Sequence, residues 1–302
     1  MFQTLEAFYE SAKSKGRKHV AVAAADDFHT LEAVHQAEKD GAIFTILIGL
    51  ETGFREKLTT IDPAFSNFAV INEEDETAMA KLAVQQVKEK KAHFIMKGML
   101  NTGTLLKEIV NKEEGLNKGG TISHISIVEI PGYHKLLLLT DCGIMITPNA
   151  QQKAAIIQNA VDLLLTAGYT CPKVAALSTV EFVNPKMPDT VDAAALQAMN
   201  EAGDITNCVV EGPISFDIAL NAETAKLKGY QGVVPGDPDI LLVPSIATGN
   251  ILIKALGRFV PNIRTIALAS GAGIPIVVTS RGTPVVGKYR SLLAACAVAK
   301  EQ

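Results

Sequence analysis

Four strand-like runs in this chain end in residues able to handle an anion. The first, Ile274-Pro275-Ile276-Val277-Val278-Thr279, stops at Ser280-Arg281-Gly282. A hydroxyl, a guanidinium and a glycine in succession supply a small donor, a planar two-pronged anion ligand and a turn that admits close backbone approach. Arginine suits a phosphate because its fork matches two oxygens and its charge does not titrate away. The same residues would also suit a solvent-facing arginine beside an ordinary turn. The second run leads into Lys97-Gly98-Met99-Leu100-Asn101-Thr102-Gly103-Thr104. A lysine, two glycines and two hydroxyls before a helix start fit an anion cradle, or a turn with a capping threonine. The third ends in Thr140-Asp141-Cys142-Gly143, with Thr147-Pro148-Asn149 ahead of a helix for which Asn149 is a natural N-cap. Cys142 reads as a nucleophile or, more often for a lone cysteine, as a small buried hydrophobe. The fourth, Pro244-Ser245-Ile246-Ala247-Thr248-Gly249-Asn250, places a helix N-terminus at a strand end.

These residues need a scaffold, and the hydrophobic pattern supplies one. Candidate strands at 19–24, 43–48, 67–71 and 93–97 alternate with helical patterns at 28–39, 52–58, 73–90 and 104–110. That βαβα rhythm predicts a parallel sheet, and in an open α/β sheet ligands bind outside the carboxyl ends of the strands. Asp26-Asp27 reads as an N-cap pair. The acids Glu73-Glu74-Asp75-Glu76 suit a solvated first turn, where the helix dipole favours them. In the middle, 123–129 and 136–140, joined by Pro131-Gly132-Tyr133-His134, read as a hairpin or bent strand pair, and a domain change is expected there. The rhythm then resumes, with helices at 150–165, 191–201, 216–220, 248–258 and 288–300, and strands at 174–177, 208–211, 240–243, 265–269 and 274–278. The glycine-rich segment 226–236 is expected to be a mobile loop.

Composition removes several classes. The chain has 302 residues, 48% hydrophobic and 20% charged, a globular makeup with room for two domains. A net charge of -4 argues against a nucleic-acid footprint, and with no tryptophan and 5% aromatics there is little to stack bases on. No apolar run approaches the ~20 residues of a membrane span, and residues 1–10 form an acidic amphipathic segment unlike a signal peptide. Cys142, Cys171, Cys208 and Cys296 are scattered without a CxxC pair, so reduced thiols, a cytoplasmic setting and no metal site are expected. Gly282-Thr283-Pro284-Val285-Val286-Gly287-Lys288-Tyr289 matches GxxxxGK, but Tyr289 replaces the Mg²⁺-binding hydroxyl of a P-loop and Pro284 deletes a cradling N–H. Ser270-Gly271-Ala272-Gly273 begins like a dinucleotide fingerprint but runs into a strand. HExxH is absent and the six histidines are dispersed.

The ordered series of motifs resembles the phosphate acetyl/butyryltransferases over nearly the whole chain. It comprises Lys97-Gly98 with Thr102-Gly103-Thr104, Ser123-His124 with Pro131-Gly132-Tyr133, Thr140-Asp141-Cys142 and Pro148-Asn149-Ala150-Gln151-Gln152. Val210-Glu211-Gly212-Pro213, Phe216-Asp217, Asp239 to Pro244, Thr248-Gly249-Asn250, Lys254-Ala255-Leu256 and Ser280-Arg281-Gly282 continue it. Each motif alone is unspecific; their order and spacing together are specific. Length, Lys97-Gly98 and 128–133 bring it nearer the phosphate butyryltransferase branch. The resemblance implies the reaction short-chain acyl-CoA plus phosphate giving acyl phosphate plus CoA, with butyryl or branched-chain substrates. It implies no tightly bound cofactor, CoA and phosphate as the small-molecule partners, and a homodimer. It also implies two α/β domains with a cleft between, similar to the isocitrate/isopropylmalate dehydrogenase-like fold. Residues 1–130 plus 273–302 would form a discontinuous first domain and 131–272 the second.

By motif match, Ser280 carries over as transition-state donor and Arg281 as phosphate anchor. Cys142 carries over as a residue of the catalytic region, and Lys97, Gly98, Thr102, Gly103, Thr104, Asp141, Thr147 and Gly282 as substrate-binding residues. The acetyl branch's aspartate shortly after Ser-Arg-Gly has no counterpart, since no acid lies between Arg281 and Glu301, and its second phosphate arginine near Thr121 is missing. The chemistry tolerates this. Phosphate is largely dianionic at pH 7 and a thiolate is a fair leaving group, so positioning and oxyanion stabilisation carry the load. Direct attack of phosphate on the thioester is expected, with Cys142 as nucleophile the competing route. Competing functions are a phosphate acetyltransferase, a non-catalytic CoA or acyl-phosphate-binding homologue, and a metal-dependent dehydrogenase of similar fold.

Overall fold

The run Ile43–Gly49 is apolar at almost every position, and Lys18–Ala23 is apolar from Val20 onward, the signature of strands covered on both faces. In the computed structural model, which describes residues 2–13, 16–116 and 120–301, both are parallel strands flanked by helices. The chain divides into two compact units, Glu6–Gly120 with Ile266–Gln302, and Met1–Leu5 with Thr121–Thr265. They are called here the terminal and the middle unit. The divisions fall at 120/121 and 265/266, against the 130/131 and 272/273 expected from the resemblance.

The terminal unit begins with α1 (Leu5–Lys13), β1 (Lys18–Ala23), α2 (Phe28–Lys39), β2 (Ile43–Gly49), α3 (Glu51–Ile61) and β3 (Phe68–Asn72). It continues with α4 (Glu76–Lys88), β4 (Phe94–Lys97) and α5 (Thr102–Ile109). The middle unit holds β5 (Ser123–Glu129), β6 (Leu137–Thr140), α6 (Ala150–Thr166), β7 (Lys173–Leu177), α7 (Pro188–Ala202) and β8 (Val209–Ile214). After these come α8 (Phe216–Leu220), α9 (Ala222–Leu227), β9 (Ile240–Leu242) and α10 (Ile246–Phe259). Strand β10 (Arg264–Ser270) leads back to the terminal unit, which closes with β11 (Ile276–Val277) and α11 (Val285–Val298).

In the terminal unit the strand order is β3-β2-β1-β4-β11-β10, parallel except for β10 against β11. Register sets Lys97 opposite Ala23 and Val277 opposite Met96, so the chain leaves β1, β4 and β11 at one end of the sheet. Each exit is shaped locally. Asp27 caps α2 by accepting from the Thr30 N–H at 2.9 Å. Asn101, rather than a threonine, caps α5. Gly98 is forced by crowding: a Cβ there would stand 1.9 Å from the Ala24 carbonyl oxygen. Its N–H bonds the Ala23 carbonyl at 2.8 Å, which draws the exits of β1 and β4 together. The closing helix α11 packs on α2 and β11 and is buried almost all round from Ser291 to Val298. The Tyr289 hydroxyl fastens it to Asp40 at 2.6 Å.

The middle unit orders its strands β5-β6-β9-β7-β8, with β5 and β6 an antiparallel pair, as their composition predicts, and the rest parallel. Val128, Leu137, Leu139, Cys142, Leu177, Ile214 and Leu241 share its core. The glycine-rich segment is tied down rather than loose. Residues 226–227 close α9, the Glu211 carboxylate accepts from the Val233 and Val234 N–H groups, and Val234 is fully buried. No described helix is long and apolar enough to cross a membrane.

Candidate active site

The carboxyl ends of β1, β4 and β11 gather charge. Lys97, the last residue of β4, is 3% exposed, and its Nζ donates to the carbonyls of Gly98 at 3.0 Å and Leu100 at 3.1 Å. Burial, then the charges of Lys288 and Arg281, bring its pKa from the ordinary 10.5 down to about 8, against a smaller opposing effect of Asp27 and Glu76. Lys288, in the first turn of α11, is 1% exposed, and its Nζ lies 4.0 Å from Asp27 Oδ2. Burial depresses its pKa too, with Asp27 opposing. Ser280, Arg281 and Gly282 follow β11 and are exposed, so their donors are free to meet a solute. The hydroxyl of Thr279, just before them, is buried without a hydrogen-bond partner among the described residues, as are Asp27 Oδ2 and the Thr30 hydroxyl. Cations outnumber acids at these strand ends, and helix N-termini open on the same edge, an arrangement whose chemistry suits a multiply charged anion.

Of the residues chosen from sequence, this edge of the terminal unit holds Lys97, Gly98, Thr102, Gly103, Thr104, Ser280, Arg281 and Gly282. Gly98 acts through backbone approach, whereas an added Cβ would meet nothing at Gly282 and only Asn101 Oδ1, at 3.7 Å, at Gly103. Thr102 and Thr104 stand half-buried in the first turn of α5. Sequence reasoning missed Lys288 and the approach of Asp27 to it. Lys288 appeared only inside a failed P-loop match, and Asp27 only as a cap.

Asp141, Cys142 and Thr147 belong to the middle unit. Asp141 is 2% exposed, and its carboxylate is spent on backbone. Oδ1 accepts from the N–H groups of Gly143 at 2.7 Å and Ile144 at 2.9 Å, and Oδ2 from His124 at 3.0 Å and Met145 at 3.2 Å. This knot fixes the turn after β6. Cys142 lies in the core, 2% exposed; burial, with the Asp141 charge adding to it, pushes its thiol up to about 12. Its carbonyl accepts from Asn250 Nδ2 at 3.2 Å, and α10 crosses so closely that a Cβ on Gly249 would lie 2.7 Å from the Asp141 carbonyl oxygen. The Thr248-Gly249-Asn250 motif therefore seats α10 on the Asp141-Cys142 turn. The His124 ring packs on Gly143, and burial holds it below the ordinary histidine range, Asp141 opposing. Thr147 is exposed, and Asn149 makes a full capping box with Gln152. Among the described residues, no group of three or more His, Cys, Asp or Glu could hold a metal ion.

An α/β protein with lysines and an arginine gathered at its strand ends is the kind of scaffold that handles phosphate or a phosphate ester. Residues 77–296 match the family described as phosphate acetyl/butaryl transferase. The chain is 38% identical over 299 residues to the phosphate butyryltransferase of Clostridium acetobutylicum, covering 99% of each chain. It is 38% identical over 288 residues to the phosphate acetyltransferase of Thermotoga maritima, covering 95% of this chain and 97% of that one. Among solved structures, a branched-chain phosphotransacylase from Enterococcus faecalis superposes with a TM-score of 0.80 at 32% identity, over 94% of this chain and all of the other. The chain belongs to the phosphate acetyl/butyryltransferase family and is an enzyme of the phosphate acyltransferase class.

Proposed function

We propose that this enzyme moves a short acyl group, butyryl or a branched-chain relative, from coenzyme A to inorganic phosphate by direct attack of phosphate on the thioester. The observation that carries the reading is the cationic edge of the terminal unit. Arg281 offers a two-pronged grip on the dianion, and the buried charges of Lys97 and Lys288 add field where water is scarce. Ser280 donates to the oxyanion that develops at the thioester carbon, a contribution of ~2.7–4 kcal/mol for a well-aimed donor. Holding two anionic reactants together supplies a further ~7–11 kcal/mol in favourable cases. An acyl-enzyme through Cys142 is disfavoured, because a core thiol held up at about 12 is not a thiolate at neutral pH. No resident cofactor is needed. We also assign the enzyme to the cytoplasm as a homodimer with an isocitrate/isopropylmalate dehydrogenase-like fold.

The test is thiol release from acetyl-, butyryl-, isobutyryl- and isovaleryl-CoA, each with and without phosphate. Release that requires phosphate or arsenate, persists in EDTA and favours four- or five-carbon chains is expected. Release independent of phosphate, or none, would remove the acyl-transfer reading. A strong acetyl preference would place the enzyme with the acetyltransferases instead.

A further inference from the structure

The reaction proposed above moves a proton, and one carboxylate is placed to carry it. Hydrogen phosphate enters with an O–H bond, and free CoA leaves with an S–H bond. As the phosphate oxygen forms its bond to the acyl carbon, its proton must be taken. As the C–S bond breaks, the electron pair stays on sulfur, which must receive a proton. The cationic edge holds three positive side chains, Lys97, Lys288 and Arg281, and Asp27 is the acid set among them. One of its oxygens is fully used: Oδ1 accepts from the Thr30 N–H at 2.9 Å, which fixes the carboxylate plane at the start of α2. The other, Oδ2, is buried and has no hydrogen-bond partner among the described residues.

Lys288 Nζ stands 4.0 Å from Oδ2, beyond a hydrogen bond but close enough for one ligand oxygen to touch both groups. A buried carboxylate oxygen left unmatched beside a lysine is costly unless something completes it. A hydrogen phosphate does so twice, its O–H donating to Oδ2 and a charged oxygen accepting from Lys288. Lys97 is less suited to the proton transfer, because its amine is already committed to two carbonyls. Glu76, the other acid that acts on Lys97, is exposed at the start of α4.

Resting on the acyl-transfer reading, we propose that Asp27 is the catalytic base: Oδ2 takes the proton of hydrogen phosphate as the phosphate oxygen attacks, Lys288 holds the anion beside it, and the proton then passes to the CoA thiolate, regenerating the carboxylate.

Two substitutions test this on the full-length enzyme. Asp27→Asn and Asp27→Ser both remove the carboxylate while keeping a good N-cap, so α2 should survive in each. Wild type is assayed first with butyryl-CoA and phosphate. If it shows no phosphate-dependent thiol release, the acyl-transfer reading itself fails. If it does, kcat should fall by roughly 10²–10⁴-fold in both variants, the usual range for a lost acid–base group. The KM values for phosphate and acyl-CoA should stay within threefold, with melting temperatures unchanged. Either variant keeping more than a third of wild-type kcat overturns the assignment. So does a loss confined to the phosphate KM, which would make Asp27 a binding residue, and so does a loss that comes with a lowered melting temperature in both variants.

Discussion

Replacing Lys97 by methionine should change the enzyme's stability in a pH-dependent way whose size can be worked out beforehand. The side chain is 3% exposed, and its pKa falls from 10.5 to about 8, chiefly through burial, then through Lys288 and Arg281. At about 1.4 kcal/mol per unit, the fold disfavours the charged amine by about 3 kcal/mol. The folded value lies below the unfolded one, so between the two the unfolded chain binds more protons and stability rises with pH. Wild type therefore carries the cost in full below about pH 8 and sheds it as pH climbs toward 10.5. Methionine has nothing to titrate. The variant loses the donations to the Gly98 and Leu100 carbonyls. These are present in either protonation state, so that loss, on the order of 1 kcal/mol per bond, does not vary with pH. The stability difference between wild type and Lys97→Met should thus move in favour of wild type by about 2–3 kcal/mol from pH 7 to pH 10. Urea unfolding of both proteins at several pH values measures it, and titrations common to the two cancel in the difference. Parallel curves would refute the argument, because they would mean that Lys97 titrates alike folded and unfolded. Phosphate joins this to function: an anion at the cationic edge favours the charged amine, so it should protect wild type against unfolding more at pH 7 than at pH 9.5, and protect the variant less at both.

Further substitutions separate anchor, donor, core and backbone. Arg281→Lys keeps the charge but loses the planar fork; steady-state kinetics should show the phosphate KM rising at least tenfold with the melting temperature intact, and near-native constants would remove Arg281 from the site. Ser280→Ala should lower kcat by roughly 10²–10³-fold with little change in either KM, the pattern of an oxyanion donor. Cys142→Ala should keep substantial turnover while losing about 1–2 kcal/mol of stability from its core position, and mass spectrometry after mixing with acyl-CoA alone should find no acyl group on Cys142; a stoichiometric, phosphate-labile thioester there would establish the covalent route. Gly98→Ala should be badly destabilised, since its Cβ would collide with the Ala24 carbonyl at 1.9 Å, whereas Gly103→Ala and Gly282→Ala should melt close to wild type.

The alternation of strands and helices was readable because each element carries its own period. Helix α2 falls on the predicted 28–39, and β5 on 123–129. Elements were misjudged where a neighbour, rather than the local pattern, sets the boundary. Strand β11 shrinks to Ile276–Val277 because Gly273 turns at positive φ and Pro275 offers no N–H to a ladder. Helix α11 starts three residues early, at Val285, because Pro284 sits at its N-cap and frees the next turn to wind. Short α9 was not foreseen between the predicted helix 216–220 and the glycine-rich segment that starts at 226, although Asn221 caps it by accepting from two backbone N–H groups. Nothing in the spacing of residues 226–236 could show that Glu211, on another strand, holds that segment down.

The site was legible to a different depth. Ser280-Arg281-Gly282 and Lys97-Gly98 stand out because strand-end chemistry is local: an apolar run followed by a donor is visible in one dimension. Asp27 and Lys288 are 261 positions apart, and their meaning depends on β1, β4 and β11 lying side by side, which follows from strand order and not from strand pattern. A buried lysine also looks the same in sequence as an exposed one. Only once α11 packs on α2 does Lys288 lose its water, and its charge then acts on Lys97 across a medium that screens it poorly. Asp141-Cys142 is the reverse case. There an acid and a thiol at a strand end look like chemistry, yet the carboxylate is consumed by four backbone N–H groups and the thiol by the core. Residues at a strand end are therefore told apart by what satisfies them. Asp141 has no acceptor capacity to spare for a substrate, whereas Asp27 keeps one oxygen open beside a lysine, and that difference directs the search for the base to the terminal unit.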